Sequence, residues 1–105
     1  MKERIQEIRN RIKELKKELS KTEDMRPGKL SLQYQKPKEK KIPYYQASYT
    51  HKMKSRTDFI RKNSVDEVKV EIENYKRAKE LFEEWVDLGI ELSKLKMKVK
   101  NQSQA

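Results

Sequence analysis

Apolar residues recur at alternating intervals of three and four near both ends of the chain, which restricts those ends to amphipathic helices. The first seam lies in residues 1–26 and the longer second seam in residues 64–100. The apolar positions are Ile5, Ile8, Ile12, Leu15, Leu19, Leu81, Trp85, Leu88, Leu92 and Leu95. Such seams favour helices that pack on one another, either as an antiparallel pair or as a dimeric coiled-coil bundle. Residues 101–105 are expected to form a frayed tail.

Between the helices, the apolar spacing of residues 27–63 changes to alternation with a period of two, which predicts β-strands. The face that packs on a helix is expected to hold Leu30, Leu32, Tyr34, Tyr45, Ala47 and Tyr49. Residues 36–41 are expected to be a solvated, mobile connector because they contain Pro37 and four lysines. The second turn is placed at His51–Lys52, where the alternation breaks.

The third strand offers two assignments of its faces. Phe59 is predicted to be the inward anchor, because the opposite choice would bury Lys54, Arg56 and Asp58 together. The whole pattern predicts one small α+β domain. It consists of an N-terminal helix, a three-stranded antiparallel meander and a long C-terminal helix.

Positive charge is concentrated in the predicted sheet. Residues 29–62 hold ten basic side chains against Glu39 and Asp58, while the whole chain has a formal net charge of +10. Residues 64–93 are acidic by contrast, with nine acids against four basic residues. This clustering favours an anionic partner, with nucleic acid ahead of an acidic membrane surface. Lysines retained for solubility are the alternative.

The polar face of the sheet and its flanking lysines are the predicted nucleic-acid contacts. Gln bonds adenine bidentately and Arg bonds guanine in the same way, while Lys neutralises phosphates. The predicted contacts are Ser31, Gln33, Gln35, Lys36, Lys38, Lys40, Lys41, Tyr44, Gln46, Ser48, Lys52, Lys54 and Arg56. A ribbon of two or three strands fits a major groove, so duplex DNA is the expected ligand.

Two other expectations concern single strands and self-association. Tyr44 and Tyr45 alternate, so only one of them is available on a given face to stack on a base. This weakens the prediction of a single-stranded ligand. Only 33% of the residues are hydrophobic, and two amphipathic helices offer more apolar surface than one short sheet covers. A homodimer is therefore expected, with the ten seam residues as its interface.

No catalytic group of residues is recognised. The single His51 lies at a predicted turn, and Gly28 and Gly89 are too far apart for a phosphate-binding loop. Cys is absent, so no thiolate metal site or disulfide is expected. The chain is expected to be cytoplasmic and without enzyme activity, cofactor, metal, membrane partner or small-molecule substrate.

Three short motifs resemble a small uncharacterised domain family of bacteria and archaea that often occurs near mobile elements. They lie at residues 27–32, 43–49 and 71–77, and the resemblance covers residues 27–95. Many members carry a Cys cluster where this chain has residues 36–41, so no metal is carried over. The order of three strands and a helix is also similar to the sheet-type DNA-binding domains of phage integrases and plant transcription factors.

The resemblance and the charge pattern lead to one functional expectation. The chain is expected to be a non-enzymatic protein that binds double-stranded DNA through the basic sheet. It would act as a regulator or architectural protein of a mobile element. The alternative is a protein-interaction adaptor that uses the helical seam and has no nucleic-acid role.

Overall fold

The computed structural model describes residues 1–104 and confirms the predicted α+β order. The elements are α1 (Lys2–Ser20), β1 (Lys29–Lys36), β2 (Lys41–His51), β3 (Lys54–Ile60), a short 3-10 turn (Lys62–Ser64) and α2 (Val65–Gln104). Helix α2 thus includes residues 101–104, which the sequence analysis assigned to the tail. Ala105, the end of that predicted tail, lies outside the described residues.

The chain forms two compact units. One contains Met1–Thr22 together with the part of α2 that begins at Ala78. The other contains Glu23–Arg77, which includes the sheet and the start of α2. Each unit has its own buried apolar residues.

In the first unit, α1 and the later part of α2 form an antiparallel pair. Arg4 makes a two-pronged ion pair with Glu91 at 2.6 and 2.9 Å, and Arg11 pairs in the same way with Glu84. The Arg4 guanidinium lowers the pKa of the Glu91 carboxyl, mainly through these hydrogen bonds. Ile8, Leu15, Ala78 and Leu81 are buried in this unit. The predicted seam is therefore at least partly filled within one chain.

The sheet of the second unit is an antiparallel meander in the order β1-β2-β3, as predicted. Lys36 and Lys41 belong to the strands and pair with each other, so the connector is only the four-residue turn at residues 37–40. The second turn is formed by Lys52 and Met53 rather than by His51 and Lys52. Both turn residues have positive φ, 51° and 64°, as a tight two-residue hairpin turn requires.

This turn sets the register of β3, and the register shows that the predicted faces of β3 were wrong. Ile60 lies opposite Tyr45 and is only 6% exposed, whereas Phe59 lies opposite Gln46 and is 67% exposed. Directly opposed residues in an antiparallel pair point to the same side of the sheet. Ile60 is therefore the inward anchor, and Phe59 lies on the other face.

One face of the sheet packs on the first turns of α2. Its core is formed by Ala47, Ile60, Val68 and Ile72, with Leu30, Tyr45 and Val65 packed around them. Val68 and Ile72 are four residues apart, so they share one side of α2. The predicted inward positions of β1 and β2 are confirmed for Leu30, Tyr45 and Ala47.

The segment before β1 explains how Asp58 is tolerated on the core side. The Arg26 guanidinium donates to the Asp58 carboxylate at 2.8 Å and lies over the Tyr49 ring, 5.2 Å from its centroid. The Arg26 backbone N–H donates to the Glu71 carbonyl at 3.1 Å, which fixes this segment to α2. The sheet can therefore carry a carboxylate on this face because a cation from outside the sheet neutralises it.

Candidate nucleic-acid interface

The side of the sheet away from α2 is here called the outer face. It presents Lys29, Ser31, Gln33, Gln35, Tyr44, Gln46, Ser48, Thr50, Ser55, Thr57 and Phe59. Most of these side chains end in a hydroxyl or an amide, and Lys29 is the one cation among them. Six of the predicted contacts, namely Ser31, Gln33, Gln35, Tyr44, Gln46 and Ser48, are brought together here as expected.

Lys54 and Arg56 do not join that group. Lys54 lies opposite His51 and Arg56 opposite Tyr49, so both are on the core side of the sheet. The prediction that they share a face with Gln46 was wrong, because the Lys52–Met53 turn shifts β3 by one residue relative to the predicted alternation. Both side chains are exposed nevertheless, since this end of the sheet lies away from the buried core.

Several polar side chains of the outer face are already hydrogen-bonded to one another. The Gln33 amide donates to the Ser31 hydroxyl at 3.2 Å. The hydroxyls of Thr50 and Ser55 are 3.0 Å apart across β2 and β3. These contacts hold the side chains in fixed positions on the strands.

An aromatic pair lies on the outer face, in which Phe59 is exposed and Tyr44 is half-buried. The ring centroids of Tyr44 and Phe59 are 6.1 Å apart, and the ring planes are inclined by 32°. The distance is within the range of favourable aromatic pairs. The pair was not predicted, because Phe59 was expected on the core side. The apolar Ile60, which fits the core equally well, is the residue in the sequence that could have indicated it.

A groove of about 380 Å³ adjoins the aromatic pair. Its lining consists of Leu32, Tyr34, Pro43, Tyr44, Tyr45, Phe59 and Lys62. Leu32, Tyr34 and Tyr45 belong to the core side of the sheet, whereas Tyr44 and Phe59 belong to the outer face. The groove is therefore not part of the outer face.

Most basic side chains of the sheet lie at its two ends. At the end where β1 and β3 finish and β2 begins, called the groove end, the cations are Lys36, Lys38, Lys40, Lys41, Arg61 and Lys62. At the opposite end they are Lys29, Lys52, Lys54 and Arg56. Glu39 contacts Lys41 at 3.8 Å and is an acid within the groove-end cluster. The middle of the outer face is thus neutral and lies between two positive regions.

Comparison with known proteins places the chain in a family. A profile of a domain of unknown function, DUF6788, matches residues 5–70. The chain belongs to the DUF6788 family. The DUF6788 match includes most of α1, the whole sheet and the beginning of α2, whereas the resemblance noted from the motifs covered residues 27–95. No curated protein and no solved structure matches the chain.

Two further observations on this DUF6788 chain concern membranes and metals. Neither helix in residues 1–104 has a stretch long and apolar enough to cross a membrane. Within the same residues, no three His, Asp or Glu side chains are grouped closely enough to hold a metal ion.

Proposed function

We propose that this DUF6788 protein is a non-enzymatic nucleic-acid-binding protein whose ligand lies on the outer face of the sheet. The observation that carries the proposal is the Tyr44–Phe59 pair on the outer face, between two groups of cations. Aromatic side chains that offer their faces to bases, together with lysines that neutralise phosphates, are the usual parts of a nucleic-acid surface. A cytoplasmic role as a regulator or architectural protein of a mobile element in bacteria or archaea belongs to the same proposal.

The sequence favoured duplex DNA as the ligand. The observed register of β3 argues against the main reason for that choice. Reading a major groove with this sheet relied on Arg56 and Gln46 standing side by side. Arg56 is on the core side and Gln46 on the outer face. The arginine expected to read guanine is therefore not on the surface that would enter the groove.

A salt-titrated binding assay on duplex DNA, single-stranded DNA and RNA tests the proposal. The logarithm of the association constant is expected to fall linearly with the logarithm of salt. The expected slope is about 0.7 per neutralised phosphate for single strands and about 0.9 for duplex DNA. Binding to none of the three, or binding without dependence on salt, would favour the adaptor alternative.

We also propose that the protein forms a homodimer, through a stripe of α2 other than the predicted seam. Phe82, Val86, Ile90 and Met97 are all exposed, and their spacing places them along one side of the helix. Gly89 lies within this stripe, and a Cβ built there meets nothing within 4 Å. A second helix can therefore approach closely at this point.

Charge complementarity favours a second, antiparallel copy as the occupant of this stripe. Glu83 and Asp87 flank it before Gly89, and Lys94 and Lys98 flank it afterwards on the same side. When two copies cross in opposite directions near Ile90, the acidic part of one helix faces the basic part of the other. A parallel pair would instead bring like charges together.

Replacing Ile90 with Asp is expected to raise the dimer dissociation constant at least tenfold, about 1.4 kcal/mol, because it places a carboxylate at the centre of the apolar stripe. Sedimentation velocity at micromolar concentration measures the effect. Val70→Asp is the matched control, since Val70 is also an exposed apolar residue of α2 (59%) but lies off the stripe. A wild-type protein that is purely monomeric would contradict the proposal.

A further inference from the structure

The position of Phe59 bears on whether the sheet binds single-stranded or duplex nucleic acid. In the sequence, only Tyr44 was available for stacking, because Tyr45 alternates to the core side. The register of β3 adds Phe59 to the outer face, beside Tyr44 and opposite Gln46. The sheet therefore has two adjacent rings on its exposed side.

We propose that the ligand is a single-stranded nucleic acid, with a base stacked on Tyr44 and Phe59 on the outer face. This inference rests on the proposed function and specifies its ligand. A base in a duplex is covered on both faces by its neighbours and offers only its edges. An unpaired base offers its face, which is the surface that an exposed ring contacts best.

The exposure and arrangement of the rings support stacking. Phe59 is 67% exposed, so most of the contact surface of this ring remains available to a ligand. Burying an aromatic ring stabilises a protein strongly. The Tyr44 ring lies 6.1 Å away and is inclined by only 32°, so the two rings form a nearly continuous shallow platform. Gln46, the cross-strand neighbour of Phe59, places an amide beside that platform, where it can bond the edge of a stacked base.

The distribution of cations indicates the path of the bound nucleic-acid strand across the sheet. The middle of the outer face has hydroxyls, amides and rings, while both ends of the sheet are basic. A flexible single strand laid along the outer face meets Lys29 towards one end, Lys38 and Lys40 of the first hairpin turn at the other, and stacking groups between them. The strand is deformable enough to follow the twist of the sheet, which a straight duplex is not.

Binding of short labelled oligonucleotides to the full chain tests the inference. The probes are a single-stranded DNA, an RNA of the same sequence and the blunt DNA duplex, at one salt concentration. The wild type is expected to bind at least one single strand more tightly than the duplex. Phe59→Leu is expected to weaken that binding about 5- to 150-fold, because it removes the ring and keeps an apolar side chain.

Phe59→Tyr is the matched variant, since it retains the ring and is expected to keep affinity within about threefold of the wild type. Thermal melting checks that both variants fold, as expected for an exposed position. Tighter binding to the duplex, or single-strand binding that Phe59→Leu leaves unchanged, would overturn this inference and leave the proposed function standing. Absence of binding to all three probes would overturn both.

Discussion

Replacing Ile72 with Ala is expected to lower the free energy of unfolding of the Glu23–Arg77 unit by about 2–5 kcal/mol. Ile72 is 4% exposed and belongs to the cluster with Ala47, Ile60 and Val68 that joins the sheet to α2. Removing its side chain leaves a cavity in a core with few other members, so little remains to compensate. Urea unfolding monitored by circular dichroism measures the loss.

Val70→Ala is the control for this change, because Val70 lies two residues earlier on the same helix and is 59% exposed. Its free energy of unfolding is expected to stay within about 0.5 kcal/mol of the wild type. Equal losses from the two substitutions would contradict the packing of Ile72 under the sheet as the cause, since Ala favours a helix more than either Ile or Val does.

Replacing Lys36, Lys38, Lys40 and Lys41 together with Gln is expected to reduce the affinity for single-stranded nucleic acid at least tenfold near 0.1 M salt. The slope of the salt dependence should fall by about 0.7 for each phosphate that the variant no longer neutralises. These lysines are exposed around the first hairpin turn, so the reduction should be similar for every base sequence. Fluorescence anisotropy at several salt concentrations gives both quantities.

The matched control replaces Lys2, Lys13, Lys17 and Lys21 with Gln. All four are exposed, and the change removes the same charge from α1 and the residue after it. Its salt slope is expected to remain that of the wild type. A similar fall in both variants would indicate attraction by net charge alone, without phosphate binding at the groove end.

Periodicity predicted the elements and most of the sheet, because the faces of β1 and β2 are defined by three apolar residues each. In β3, the adjacent Phe59 and Ile60 both fit the core, so alternation alone does not choose between them. The choice depends on the number of residues in the second turn. Lys52 and Met53 adopt positive φ without the Asn or Gly that usually reveals such a turn in a sequence.

The prediction of an inward Phe59 depended on the cost of burying Lys54, Arg56 and Asp58 together. Lys54 and Arg56 lie on the core side but are exposed, so only Asp58 requires a compensating charge. Arg26, from the irregular segment before β1, supplies the compensation at 2.8 Å. Arg26 and Asp58 are 32 positions apart in the chain, so their ion pair cannot be recognised from the spacing of neighbouring residues.

The heptad seams likewise predicted helix pairing but not its partner. Apolar spacing alone fits an antiparallel pair within one chain and a bundle of two chains equally well. The ion pairs Arg4–Glu91 and Arg11–Glu84 join positions whose order reverses between the helices, so α1 and α2 of one chain pair antiparallel.

The strand order β1-β2-β3 has a consequence for aggregation. The two flanking strands each have one edge without a neighbouring strand in the sheet, and such open edges can recruit a strand from another molecule. Lys29 and Lys36 lie on β1, and Lys54 and Arg56 on β3, so two copies that approach edge to edge repel each other. The cations thereby protect the protein from polymerising through its sheet.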